Sequence, residues 1–168
     1  MSGPSAFDPG LWHDYFLATA GIGAALSGLV FVAFSINLRA IVGTPGVVGR
    51  GGEALVLLVE LAVIAIVGLW PLGDPRQVGV ALAVVALLFW LEVTGIEVVA
   101  IRRPRVVENV QLGLRIVFAQ LATIPPVLAG LSLAAGVGPG LDLLVLGALF
   151  ALLGGLVGAW VLLVEILR

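Results

Sequence analysis

The chain has 168 residues, of which 61% are hydrophobic and only 11% charged, with a formal net charge of −2, whereas soluble domains carry about 25% charged residues. So much apolar side chain cannot be hidden inside a water-soluble fold of this size, so lipid must be the solvent for most of the surface. The thinly spread charge argues against a nucleic-acid partner, which needs clustered cations. With no cysteine and a single histidine, His13, disulfides, thiol redox chemistry and thiolate or histidine-rich metal sites within one chain are excluded as well.

Met1 to Gly10 holds no Lys or Arg and includes Asp8, so it lacks the positive region of a secretory signal, and the first apolar segment is expected to be retained. A spanning helix needs about 20 mostly apolar residues. Five stretches qualify: residues 15–41, 53–72, 78–101, 110–135 and 141–167. The breaks between them are short and rich in Gly and Pro, which cannot continue a helix cheaply: Val42 to Gly52, Pro71 to Pro75, Arg102 to Glu108 and Gly136 to Gly140. Loops this short make sequential helices antiparallel neighbours. The expected fold is therefore all-α, a single polytopic transmembrane bundle of about five helices filling residues 1–168.

Five crossings put the termini on opposite sides, and the arginines fall unevenly between the sides. One side holds Arg76; the other holds Arg39, Arg50, Arg102, Arg103, Arg105 and Arg168. Positive residues of short loops stay in the cytoplasm. The expectation is a multi-pass protein of the inner (plasma) membrane with its N-terminus outside and C-terminus cytoplasmic. Trp12, Tyr15 and Trp70 then fall at the outer interface and Trp160 at the inner one, where amphipathic rings prefer to lie, while Trp90 falls near mid-depth and is expected between helices.

Helices in lipid approach where small residues allow it. The first helix carries Ala18, Gly21, Ala25, Gly28 and Ser35 at helical spacing, and the last carries Gly147, Ala151, Gly155 and Ala159 with Gly154 and Gly158 beside them. Both faces are expected to pack closely, within the chain or in self-association. Pro125 and Pro126 interrupt the fourth helix; they lack backbone N–H groups and crowd the carbonyls of Leu121 and Ala122, so a kink is expected near Thr123, either a static bend or a hinge.

Ionisable groups inside a membrane are costly, about 2.5–3.5 kcal/mol for a central Asp, so their positions carry weight. At a rise of about 1.5 Å per residue, Glu60 lies roughly 10 Å from the inner side, Glu97 roughly 6 Å, Glu92 roughly 14 Å, Arg115 roughly 9 Å and Gln120 roughly 16 Å. Ser35 and Asn37 belong to the same half. Arg115 is expected to pair with Glu97 or Glu60. Such a set can glue the bundle together, or it can form a path for a small cation or proton, since hard cations take oxygen ligands and a buried Glu can carry a proton. Glu92 and Glu97, about 140° apart around the helix, cannot share one narrow face.

Arg102, Arg103 and Arg105 read as a topology signal rather than a lipid-headgroup site, because three arginines fall short of the usual clusters of about 4–8. His13 and Asp14 read as interfacial residues, or as part of an outer vestibule with Asp74 and Asp142. No His-Glu-x-x-His, Gly-x-Ser-x-Gly or phosphate-binding Gly-x-x-x-x-Gly-Lys occurs, so an enzyme is not expected, nor is a cofactor.

Leu26-Ser27-Gly28 followed by Val32-Ala33, Leu87-Leu88-Phe89 followed by Glu92-Val93, and a proline in the fourth helix make the chain similar to Orai-type calcium channels over well under a fifth of its length. The resemblance implies a symmetric oligomer with the first helix lining a central pore. This chain reads Ile36-Asn37 where that family has its filter glutamate, lacks the basic stretch before the first helix, adds a fifth crossing and has the reverse expected orientation, so calcium selectivity is not carried over. The combined expectation is a homo-oligomeric channel or transporter for a small cation or proton, with Glu60, Glu92, Glu97, Arg115, Gln120, Ser35 and Asn37 as pore or ion-binding candidates. The alternative is a non-catalytic accessory or regulatory subunit of a larger membrane complex.

Overall fold

A computed structural model describes residues 4–43, 47–102 and 109–166. Arg103, Arg105 and Arg168 lie outside the described residues. Two short 3-10 turns, Pro4–Phe7 and Pro9–Trp12, lead into five α-helices: α1 His13–Gly43, α2 Val47–Gly68, α3 Pro75–Arg102, α4 Asn109–Ala135 and α5 Asp142–Ile166. All five are long and apolar enough to cross a membrane. The chain is an all-α, multi-pass membrane protein.

The second helix departs most from the boundaries expected of the sequence. It starts at Val47 rather than Glu53, running through Arg50, Gly51 and Gly52, and stops at Gly68 rather than Leu72. A mid-helix Gly costs about 1 kcal/mol against Ala, but leaving backbone N–H and C=O groups unpaired in lipid costs several kcal/mol each, so the helix continues. At its other end Pro71 disfavours helical backbone at Trp70. The third helix gains a turn at its start because the Asp74 side chain accepts from the Arg76 N–H at 2.9 Å and Pro75 occupies the first helical position.

The helices pack in the order α1, α2, α5, α4, α3, with α2 also touching α3, and α2 and α4 are the most buried of the five. In α2 61% of the most apolar stretch is buried, against 22% in α1, which lies at the edge of the bundle. Small residues set the closest approaches. A Cβ on Gly79 of α3 would collide with the backbone of Ala134, and one on Gly130 of α4 with the backbone of Ala83, so the two helices cross where Gly79-x-x-x-Ala83 meets Gly130-x-x-x-Ala134. Sequence reading did not single out this crossing. It named Gly21 and Gly28 of α1, and both face open space; Gly23, between them, is the α1 glycine packed on the Leu58 and Ala62 backbone of α2. On α5, Gly155 meets Leu58, Gly154 meets Leu57 and Gly147 meets Pro126, as close packing there requires. Gly158 is half-buried.

The end of the bundle that holds the N-terminal turns is closed by an apolar core of Phe16, Ile64, Val78, Leu82, Leu133, Leu141 and Leu144. The chain start docks there: the Leu141 N–H donates to the Ala6 carbonyl at 2.9 Å, and Gly140, at φ 61°, leaves room for that carbonyl where a side chain would not fit. Trp12 packs edge-on against Tyr15, and the Trp12 indole donates to the Ser5 carbonyl at 2.9 Å. Tyr15 turns inward: its hydroxyl donates to the Leu144 carbonyl at 2.8 Å.

Candidate functional site

Among the described residues, the buried carboxylates fall into two groups inside the bundle. The first joins α2, α3 and α4 in the half away from the N-terminal turns. Glu53 stands six residues into α2 and Arg115 six residues into α4, and these helices run parallel, so the two side chains reach the same depth. The Arg115 Nε lies 2.9 Å from each Glu53 carboxylate oxygen and its Nη2 donates to Oε2, a forked pair with Glu53 only 4% exposed. This corrects the expected partner, which was Glu97 or Glu60. A helix beginning at Glu53 leaves that carboxylate at its very end; the six helical residues before it carry it into the bundle, opposite Arg115.

Glu97 of α3 is buried beside this pair and takes its hydrogen bond elsewhere, from Gln120 Nε2 to Oε2 at 2.6 Å. The orientation of the Gln120 amide follows from its other neighbour. The Trp90 indole can only donate, and it does so to Gln120 Oε1 at 2.9 Å, which leaves Nε2 to face Glu97 and, at 3.3 Å, Thr94 Oγ1. Trp90 is therefore packed between helices, holding the amide in place. Glu97 Oε1 is buried with no hydrogen-bond partner.

The second group centres on Glu60 of α2, two turns beyond Glu53 and near the middle of the Gly51–Gly68 span. Glu60 is 2% exposed, and neither carboxylate oxygen has a hydrogen-bond partner. It lines a cavity of about 20 Å3, walled by Tyr15 and Thr19 of α1, Ala122 and Pro126 of α4 and Gly147 and Ala148 of α5. That space admits about one water molecule. The Thr19 hydroxyl donates to the Tyr15 carbonyl at 2.8 Å. Pro125 and Pro126 are buried, and α4 runs unbroken through them; the Thr123 hydroxyl donates to Ala119 O at 3.0 Å, not to the carbonyls of Leu121 or Ala122 that the prolines leave without their helical donors.

The remaining candidates lie elsewhere. Glu92 is exposed on the outer face of α3, about 140° around from Glu97. Ser35 and Asn37 bond their own helix one turn back, to Phe31 O and Ala33 O, each at 2.9 Å, and do not join either group. His13, Asp14, Asp74 and Asp142 are exposed. Glu53 is the site residue that sequence reading missed; its signal was present in its spacing of seven residues from Glu60, which puts both carboxylates on one face of a helix. Among the described residues no group of three or more His, Asp or Glu side chains could hold a metal ion. Comparison with family models, with curated proteins and with solved structures finds no match to this chain.

Proposed function

We propose that this chain transports a small cation, a proton foremost, through the interior of its own helical bundle, with Glu60 as the mid-membrane site. The observation that carries the reading is the Glu60 carboxyl, buried with both oxygens unpaired beside a water-sized cavity. An isolated carboxylate in an apolar medium is too costly to keep as mere filler, so its charge calls for a compensating cation, of which H+ is the smallest. Glu53, Arg115, Glu97 and Gln120 supply polar groups from one end of the bundle up to its middle. Beyond Glu60 the apolar core around Phe16 and Leu82 closes the other end, which favours a gated path over an open pore.

The arginine asymmetry supports an inner-membrane protein with its N-terminus outside, and polar access to Glu60 then opens from the cytoplasmic side. A tag on the N-terminus that is reached from the cytoplasm would overturn that orientation. The path lies within one chain, so it differs from a pore on a symmetry axis lined by the first helix. Self-association stays part of the proposal because Gly21 and Gly28 leave an unpacked face on α1. The exposed Glu92 on α3 also favours the second reading, an accessory subunit docked on a larger complex.

Flux separates the two. Protein reconstituted in liposomes is expected to pass protons or sodium down an imposed gradient, and Glu60→Gln to reduce that flux to the protein-free background while Glu92→Gln leaves most of it. Liposomes that stay tight with correctly inserted protein would sink the transport reading.

A further inference from the structure

We infer that the cavity at Glu60 is a single-occupancy site for a monovalent cation no larger than a water molecule, hydronium or sodium, held by the Glu60 carboxylate and the Ala122 carbonyl that Pro126 leaves free. This rests on the reading of Glu60 as the transport site and says what occupies it. The donor set decides the sign of the ligand. The side-chain polar atoms on the cavity wall are those of Glu60, Tyr15 and Thr19. The Tyr15 and Thr19 hydroxyls spend their protons on Leu144 O and on Tyr15 O, so they turn only oxygen lone pairs to a further partner. The Ala122 carbonyl adds another acceptor, because residue 126 has no N–H. A wall of acceptors with no spare donor suits a cation and repels an anion.

The charge count decides the valence. From α1 the titratable group facing the cavity is Tyr15; from α2 it is Glu60; α4 contributes Ala122 and Pro126, and α5 contributes Leu144, Gly147, Ala148 and Ala151, none of which titrates. One carboxylate balances one positive charge. A calcium ion needs 6–8 oxygen ligands and would leave a net charge uncompensated in an apolar interior. The space, about 20 Å3, suits one water-sized occupant better than an ion with its full hydration shell. Gly147 holds the dimensions: a Cβ there would lie 2.9 Å from Ala122 O and 2.7 Å from the Pro126 ring, filling the space beside the carbonyl.

Dicyclohexylcarbodiimide tests this on the intact chain in mild detergent. A protonated carboxyl adds its O–H across one C=N bond of the reagent, and the resulting O-acylisourea rearranges by an O-to-N acyl shift to a stable N-acylurea that peptide mass spectrometry locates. Labelling is expected at Glu60, growing as pH falls, unchanged in Glu92→Gln and absent in Glu60→Gln. Sodium chloride titrated against choline chloride at constant ionic strength separates the occupants: protection by sodium but not by potassium or calcium assigns sodium, and labelling indifferent to all three salts assigns the proton. Calcium protecting at lower concentration than sodium, or Glu60 unlabelled across the pH range, overturns the site. If Glu60→Gln does not assemble, Glu60→Asp retracts the carboxyl by one methylene and is expected to label with protection lost. The site and the transport reading fail separately: sodium protection with tight liposomes keeps the site and removes transport, whereas flux in protein that never labels at Glu60 keeps transport and removes the site.

Discussion

Glu53 and Glu60 stand on the same helix, two turns apart and within about 20° of the same face, and both are almost wholly buried. Their circumstances are nevertheless opposite. Opposite Glu53, α4 presents the Arg115 guanidinium, and the pair is closed by a fork of hydrogen bonds. Two turns further on, the same helix α4 presents Ala122 and Pro126 beside Glu60, and α5 presents Gly147, so that carboxyl meets a water-sized space instead of a counter-charge. The difference teaches that burial alone does not mark a functional carboxylate. What the neighbouring helices bring to the same depth does.

One substitution applied at both positions gives the sharpest test of that contrast. Glu53→Gln leaves Arg115 without its counter-charge in the interior and is expected to destabilise the bundle by about 3–5 kcal/mol, read as a fall in melting temperature in detergent. Adding Arg115→Gln should recover most of the loss, since replacing both partners removes the stranded charge. A neutral result for Glu53→Gln alone would mean that the pair contributes nothing to assembly.

The register of α4, which supplies the neighbours of both carboxylates, is set in turn by its crossing with α3. Gly130→Leu drives a side chain into the Ala83 backbone and should cost about 1–3 kcal/mol or push the helices apart. Because that shift moves Arg115 and Ala122 together, it should also disturb carbodiimide reactivity at Glu60, far from the mutated crossing. Unchanged labelling in a destabilised Gly130→Leu protein would break the link between the crossing and the site.

The smallest expected effect falls on Glu60 itself. Glu60→Gln removes an unpaired carboxyl at little change in volume, so stability should stay within about 1 kcal/mol of the parent or rise, the opposite sign to Glu53→Gln. A large loss would show that Glu60 supports the fold and would undo the contrast between the two positions.

Much of this architecture is legible in the chain without a structure. The five apolar runs, their Gly and Pro breaks and the antiparallel order follow from composition, because lipid forces each crossing segment to satisfy its own backbone hydrogen bonds. That Glu92 and Glu97 face different ways follows from helix periodicity alone. The partner of Arg115 does not, because each residue of register turns a side chain by about 100° and moves it about 1.5 Å along the axis. Starting α2 at Glu53 instead of Val47 was enough to lose the pair. Packing faces were equally out of reach: Gly21, Gly23 and Gly28 are alike in sequence, and only the placement of α1 at the edge of the bundle decides that Gly23 touches α2 while the other two do not.

The sequence by itself therefore determined that this is a five-helix membrane protein and which few residues carry charge or hydrogen-bonding groups within it, because the lipid environment acts on each segment separately. Only the tertiary structure decided that Arg115 belongs to Glu53, that Gln120 belongs to Glu97 and Trp90, and that Glu60 is left with a cavity. Those outcomes depend on how helices rotate and slide against one another, and that is settled by small residues packing at the crossings.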